Sequence, residues 1–319
     1  MSVEQTWGTI RTDLAMETHQ FLAEKSGSAV PGVESYTERK GETTVTRVII
    51  QTPEAGRALG KKPGYYVTIE SLALRGRDKD ELEEVAQVIA AELRVFIQGF
   101  NLSDEAGALV VGLGNWNATP DALGPKVVEK ILVTRHMWSS SPPEKRGGLR
   151  PVCAVSPGVL GITGIETKEI VAGIVDRVKP SFLLVIDALA SRSTERMGST
   201  VQIANTGINP GSGVGNRRLG LTAESLGVPV IALGVPTVVE ARTIVHDALE
   251  QIGSLGGSTA QTRRREVIDR VLSPYFQDLI VTPKEIDVLI NEISRALAGA
   301  INIALHPGVT ADEVFRYLD

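Results

Sequence analysis

Ser181–Arg192 reads SFLLVIDALASR, and the fold turns on it. Phe182–Ile186 is an unbroken apolar run without charge, the mark of a strand buried on both faces. Just upstream, Glu166–Val178 places Ile170, Val171, Ile174, Val175 and Val178 on one helical face, with Thr163–Glu166 as a capping box. The alternation continues towards the N-terminus. Asp78–Gly99 predicts a helix with the stripe Leu82, Val85, Ile89, Leu93 and Phe96, begun by the Asp78/Glu81 pair and stopped at Gly99. Ala108–Leu113 and Val152–Val155 predict strands, and Asp121–Val133 a helix between them. Downstream, Thr200–Ala204 and Val228–Leu233 predict strands, and Glu240–Ile252, Arg263–Leu272 and Pro283–Leu305 predict helices. The expected class is α/β: a mixed, mostly parallel sheet covered by helices on both faces. Residues 27–76 are β-rich, with strands at Thr43–Ile50 and Tyr65–Ser71 around the turn GKKPG at Gly60–Gly64, and read as an antiparallel insertion or edge subdomain. The first twenty or so residues are polar, lack a period and read as an arm.

Composition narrows the function classes. The chain has 319 residues, 33 basic and 38 acidic, for a net charge of −5. At 42% hydrophobic and 22% charged it can bury a sizeable core, which excludes wholesale disorder. Mild acidity argues against nucleic-acid binding by bulk electrostatics. The uncharged stretches Ala106–Pro120, Pro151–Ile165 and Ser225–Val239 are broken by Gly and Pro and fall short of the roughly 20 residues of a membrane span. The N-terminus lacks a basic head followed by an apolar block, so no secretory signal is expected. The single cysteine, Cys153, forms no internal disulfide and fits a reducing, cytoplasmic compartment.

Several common chemistries fail on spacing. There is no phosphate-binding P-loop, no nucleophile elbow and no zinc-protease helix motif. The stretch Gly112–Asn117, GLGNWN, follows a strand but lacks the third glycine of a dinucleotide fingerprint. His19, His136, His246 and His306 are scattered without metal-ligand spacing, and Cys153 reads as a small buried hydrophobe. Two carboxylates remain where ligands bind open α/β sheets, outside the carboxyl ends of strands. Asp187 ends the run at 182–186, and Asp121 follows the strand 108–113 in LGNWNATPDALGP. Each also fits a capping or turn role. Together they could share a water as base and acid, or bridge a metal. Asn205–Asn216, NTGINPGSGVGN, is a glycine-rich loop suited to close backbone contact with a ligand, and Arg217 and Arg218 follow it.

Long contiguous strings resemble the germination (spore) protease family of endospore-forming bacteria: 157–180, PGVLGITGIETKEIVAGIVDRVKP; 185–196, VIDALASRSTER; and 205–244, from NTGINPGSGVGN to EARTI. The likeness runs from RTDLAME at 11–17 to ALHPGV at 304–309. It implies an endopeptidase of the spore core that degrades small acid-soluble spore proteins during germination. It also implies a homotetramer made as a zymogen and matured by self-cleavage. The core is then similar to hydrogenase-maturation endopeptidases, whose G-x-G-N loop and following acid match Gly112–Asn115 and Asp121. The family's catalytic aspartates match Asp121 and Asp187, and its propeptide junction matches Thr12–Glu17, with the cut between Asp13 and Leu14. Residues 1–13 are then propeptide and 14–319 a single protease domain. Small acid-soluble spore proteins and further copies of the chain are the implied partners, with no nucleic acid and no membrane. No cofactor is expected, though a metal between the aspartates stays open. Backbone N–H groups of the Gly114–Asn115 loop, or of Gly211 and Gly213, are candidates to contact substrate or its oxyanion. The family usually has Asp where this chain has Asn205. Two rivals stand beside this reading, a hydrogenase-maturation-type endopeptidase and a non-proteolytic ligand-binding protein on the same fold.

Overall fold

The computed structural model describes residues 12–26, 30–138, 146–209, 219–245 and 279–318, with 140, 142, 144 and 248. The helix expected over Arg263–Leu272 lies outside them, as do the glycine-rich stretch 210–218 and, of the helix expected over Glu240–Ile252, residues 246, 247 and 249–252. The strands are β1 (Val33–Lys40), β2 (Thr43–Ile50), β3 (Gly64–Glu70), β4 (Ala108–Gly112), β5 (Val152–Val155), β6 (Phe182–Ser191), β7 (Thr200–Ala204), β8 (Val230–Glu240) and β9 (Ile280–Val281). They form one sheet in the order β1-β2-β3-β7-β8-β6-β4-β5, with β9 on β8. Strands β5, β4, β6 and β8 are parallel neighbours. β7 runs antiparallel to both β8 and β3, and β1 and β2 continue the antiparallel half. The β-rich N-terminal region is therefore an extension of the main sheet through β3 and β7.

The longer helices are α1 (Ala15–Ser26), α2 (Pro53–Leu59), α3 (Lys79–Gln98), α4 (Leu123–Val128), α5 (Thr167–Val178), α6 (Ile286–Leu305) and α7 (Ala311–Leu318). α3 buries the expected stripe Leu82, Val85, Ile89, Leu93 and Phe96, and Asp78 caps it by accepting from the Asp80 and Glu81 N–H groups. α3, α4 and α6 cover one face of the sheet in the main core. Among the described residues α6 is the one helix long and apolar enough to cross a membrane. Here its Ile290, Leu297, Ile301 and Leu305 are fully buried against the sheet and α3.

The second face is covered in two patches. Val171 and Val175 of α5 pack on Leu109, Val111, Leu183 and Val185. Ala15 of α1, with Ala55 and Leu59 of α2, packs on Val48, Ile50, Tyr66 and Ala204. Between the patches, Asp187, Gly234 and Gln202 form one transverse row across β6, β8 and β7. Residues in one row share a face, so Asp187 and Gln202 lie on the same face of the sheet.

Three expectations change. The N-terminal arm becomes α1 from Ala15 on. Ala15 and Leu22 pack on the cluster of α2 and the sheet, and specific polar contacts hold its first turn. The helix expected over 121–133 is only a turn at Thr119–Asp121 followed by α4, because Asn302 takes the Lys130 carbonyl and the Leu132 N–H into its side-chain amide. α2 interrupts the β-rich region. Thr52 caps its start, Pro53 opens it, and Gly60 closes it at φ +63°.

Candidate active site

Asp187 is 6% exposed. Its β6 neighbour Ile186 pairs with Gly112, the last residue of β4, and the Leu113 N–H donates to the Ile186 carbonyl at 2.8 Å. Asp187 thus stands where the β4 ladder stops, although β6 itself continues on β8 to Ser191. The expected strand end is a ladder end, and the effect is the same: a carboxylate beside the mouth of the 113–122 loop. Asp187 Oδ1 accepts from the Ala188 N–H at 2.9 Å.

Asp121 closes that loop. Its Oδ2 accepts from the Asn115 N–H at 2.9 Å, and its carbonyl accepts from the same N–H at 3.1 Å. Asn115 Oδ1 in turn takes the Asn117 N–H at 2.9 Å. Gly114 sits at φ +120°, where a Cβ would run into the Asp121 carbonyl oxygen. Only glycine lets the loop fold back this tightly. The turn carrying Asp121 packs against β6, β8 and α6, which brings both aspartates to one rim of the sheet. The Asn115 N–H, one of the expected oxyanion donors, is thus engaged inside its own loop. Trp116 is exposed in the same loop, as are Ile162, in the short helix Leu160–Thr163 after β5, and Ile165 just beyond it, so this rim also offers apolar surface.

The segment Thr12–Glu17 is not a free arm. Leu14, Ala15, Met16 and Glu17 are buried. The Asp13 N–H donates to the Ala190 carbonyl at 3.1 Å, and the Ala190 N–H donates to Asp13 Oδ2 at 3.0 Å. Both bonds fall on β6, beyond Asp187. Lys61 Nζ donates to the Asp13 carbonyl at 2.8 Å and Gln202 Nε2 at 3.0 Å. Gln202 Oε1 accepts from the Ala15 N–H at 2.7 Å, and Thr12 Oγ1 accepts from the Leu14 N–H at 3.1 Å.

Glu17 anchors the far end. It receives the Arg192 N–H at 2.9 Å, the Ser193 N–H at 3.2 Å, Arg196 Nη1 at 3.0 Å and the Thr12 hydroxyl. Burial works against the Arg196 guanidinium, but Glu17 and Glu70 hold its pKa above the ordinary arginine value. Burial keeps the Lys61 ammonium below the ordinary lysine range, against the pull of Asp13 and Glu17. Sequence pattern did not single out Lys61, Gln202 or Arg196. The one available signal was Gln202, a long polar side chain inside the strand TVQIA.

The other candidates fall elsewhere. His306 is a core residue. Its Nδ1 accepts from the Arg150 N–H at 3.1 Å, Nε2 meets the Leu132 carbonyl at 3.0 Å, and burial lowers its pKa. Cys153 lies in β5, where burial raises its thiol pKa, so it is poorly suited as a nucleophile. Asn205 Oδ1 accepts from the Tyr65 N–H at 3.0 Å and prolongs the β3–β7 ladder, a task for which its shape suffices. Gly211, Gly213, Arg217, Arg218 and His246 lie outside the described residues. Among the described residues no cluster of three or more His, Cys, Asp or Glu side chains could hold a metal ion.

Comparison with known proteins now places the chain. The family model described as germination protease matches residues 10–256 and 250–318. The germination protease of Caldanaerobacter subterraneus subsp. tengcongensis is 50% identical over 323 residues, covering 97% of this chain and 98% of that protein. That of Clostridium tetani is 43% identical, covering 98% of this chain and 100% of its own. That of Bacillus mycoides is 40% identical, with 97% of each covered. Among solved structures, a nickel–iron hydrogenase maturation protease from Thermococcus kodakarensis KOD1 aligns at TM-score 0.29 and 16% identity, covering 61% of this chain and 92% of that one, too slight a likeness to argue from. Matched from residue 10 to residue 318, the chain belongs to the germination protease family and is an endopeptidase.

Proposed function

We propose that this endopeptidase is made as a zymogen that cuts its own Asp13–Leu14 bond, and that once mature it degrades small acid-soluble spore proteins in the spore core. The observation that carries the reading is the docking of Thr12–Glu17 on β6, the strand that bears Asp187. A substrate-like string held against the candidate site suits an inhibitory pro-segment. Peptide hydrolysis needs an activated water, a stabilised oxyanion and a protonated leaving amine. Asp121 and Asp187 divide the proton work in this proposal, one as base on water and the other as acid to the amine. The exposed Trp116, Ile162 and Ile165 would contact apolar substrate residues. The working form is a homotetramer.

The test replaces each aspartate by asparagine. Asp121→Asn keeps an oxygen acceptor for the Asn115 N–H, so the loop stays closed. Asp121→Asn and Asp187→Asn should each slow self-processing at least about 100-fold, with melting temperature near that of the parent. Mass spectrometry of the N-terminus over time reads the rate. Full processing by either variant sinks the assignment.

A further inference from the structure

The Asp13 carbonyl oxygen has an unusual environment for a main-chain acceptor in a pro-segment. Two side-chain donors from distant parts of the chain converge on it, Lys61 from the turn between α2 and β3 and Gln202 from β7. Among the described residues the two hydrogen bonds of Lys61 both go to main-chain carbonyls, those of Thr12 at 3.3 Å and Asp13 at 2.8 Å. Lys61 is half-buried, and the desolvation of its ammonium is only partly offset by these carbonyls and by the Asp13 and Glu17 carboxylates. Gln202 is placed with equal specificity. Its amide spans the junction, giving Nε2 to the Asp13 carbonyl and taking the Ala15 N–H on Oε1. Gln202 and Asp187 are both register partners of Gly234, on the same face of the sheet. A carbonyl held by Gln202 therefore lies on the Asp187 side.

We infer that Lys61 and Gln202 form the oxyanion-stabilising pair for the peptide bond this enzyme cuts, occupied in this structure by its own Asp13–Leu14 peptide. The inference rests on the reading that Asp13–Leu14 is the processed bond. Water adds through its oxygen to the Asp13 carbonyl carbon, and the C=O electron pair moves onto the carbonyl oxygen. Lys61 Nζ and Gln202 Nε2 already donate to that oxygen and strengthen as its charge grows. Collapse of the oxyanion breaks the bond to the Leu14 nitrogen, which takes its proton from the acid aspartate, while one proton of the water passes to the base and the other reprotonates the acid. The products are an Asp13 carboxylate and a Leu14 amine. The rival role for the same contacts is a latch that merely holds the junction still. The two roles differ in sign. Removing an oxyanion donor slows the cut, whereas removing a latch leaves it unchanged or speeds it.

The experiment uses the full chain and follows the N-terminus by intact mass. The wild type must first yield a chain beginning at Leu14. A different start point refutes the junction reading itself, independently of Lys61. With that start confirmed, Lys61→Met should lower the rate by about 100-fold or more, and Lys61→Arg should restore part of it. Amide-exchange protection at Arg192 and Ser193 reports whether Glu17, and with it the segment, stays docked. If Lys61→Met undocks the segment, Gln202→Glu decides. It keeps the acceptor for the Ala15 N–H, loses the donor to the carbonyl, and should cost a similar factor. A docked Lys61→Met that processes at the wild-type rate or faster overturns the inference, as does an unslowed Gln202→Glu.

Discussion

Glu17→Ala isolates what holds the N-terminal segment down. The substitution removes the acceptor of two backbone N–H groups, of Arg196 Nη1 and of the Thr12 hydroxyl, at a site only 4% exposed. Breaking a buried charged pair costs about 3–5 kcal/mol. Arg196 keeps Glu70 at 3.0 Å and Gln20 at 3.2 Å, so it is not stranded, and the lower end of that range applies. At about 1.4 kcal/mol per factor of ten, a loss of about 3 kcal/mol raises the undocked population about 150-fold. Native-state amide exchange measures that population locally. The informative reporters are the Asp13 and Ala15 amides, whose acceptors, the Ala190 carbonyl and Gln202 Oε1, are untouched by the substitution. The Arg192 and Ser193 amides lose their own acceptor in this variant and would exchange faster for that trivial reason. Global unfolding should change little, because the main core is a separate cluster from the one that includes Ala15. Glu17→Gln, which keeps an acceptor oxygen, should raise exchange only about tenfold. A Glu17→Ala chain whose Asp13 and Ala15 amides exchange less than about fivefold faster would refute the docking argument.

Two further outcomes follow from the same structure. Gly114→Ala should cost at least about 2 kcal/mol and stop processing, since it puts a Cβ into the Asp121 carbonyl at a positive φ; circular dichroism with mass analysis checks both. His306 is held below its ordinary value of 6.5 by burial, so the unfolded chain binds the extra proton first as pH falls. Stability from this residue is therefore fully present above about pH 6.5 and declines below it. Denaturant titrations from pH 7.5 to 5.5 should show that slope reduced in His306→Gln. His19, also lowered by burial, retains part of it.

The parallel half of the fold was legible because β4, β6 and β8 are apolar runs that must be buried on both faces, and each announces itself locally. As candidates, Asp187 stood out because a carboxylate directly follows such a run, and Asp121 because it lies in the loop after another. The docking of α1 was not legible. Its first turn is fixed by Lys61, Gln202 and Arg196, residues separated from it by up to about 190 positions, and nothing in AMETHQFLAEKS announces those partners. Lys61 sits in a sequence that reads as a plain turn, GKKPG, and its role arises only when α2 and β3 bring that turn to β7. The shortening of the 121–133 helix was hidden likewise, because Asn302 competes for its backbone from the other end of the chain.

The burial of Leu14, at 0% exposure, has a consequence for direction. If the chain is cut immediately before it, as proposed, an ammonium replaces an amide there. Thr12 Oγ1, which accepts from the Leu14 N–H, and the Asp13 carbonyl would both leave with the released piece. Lys61, which had held that carbonyl, stays behind as a second cation. Two positive charges about 5 Å apart in a part-buried site repel by about 3 kcal/mol. On that proposal the new terminus is pushed from where the old peptide lay, against the hold that Arg192, Ser193 and Arg196 keep on Glu17 in the first turn of α1. In the proposed self-cleavage the cut would act as a ratchet, because the cradle that grips the intact chain repels the shortened one, so that electrostatics as well as hydrolysis oppose rejoining.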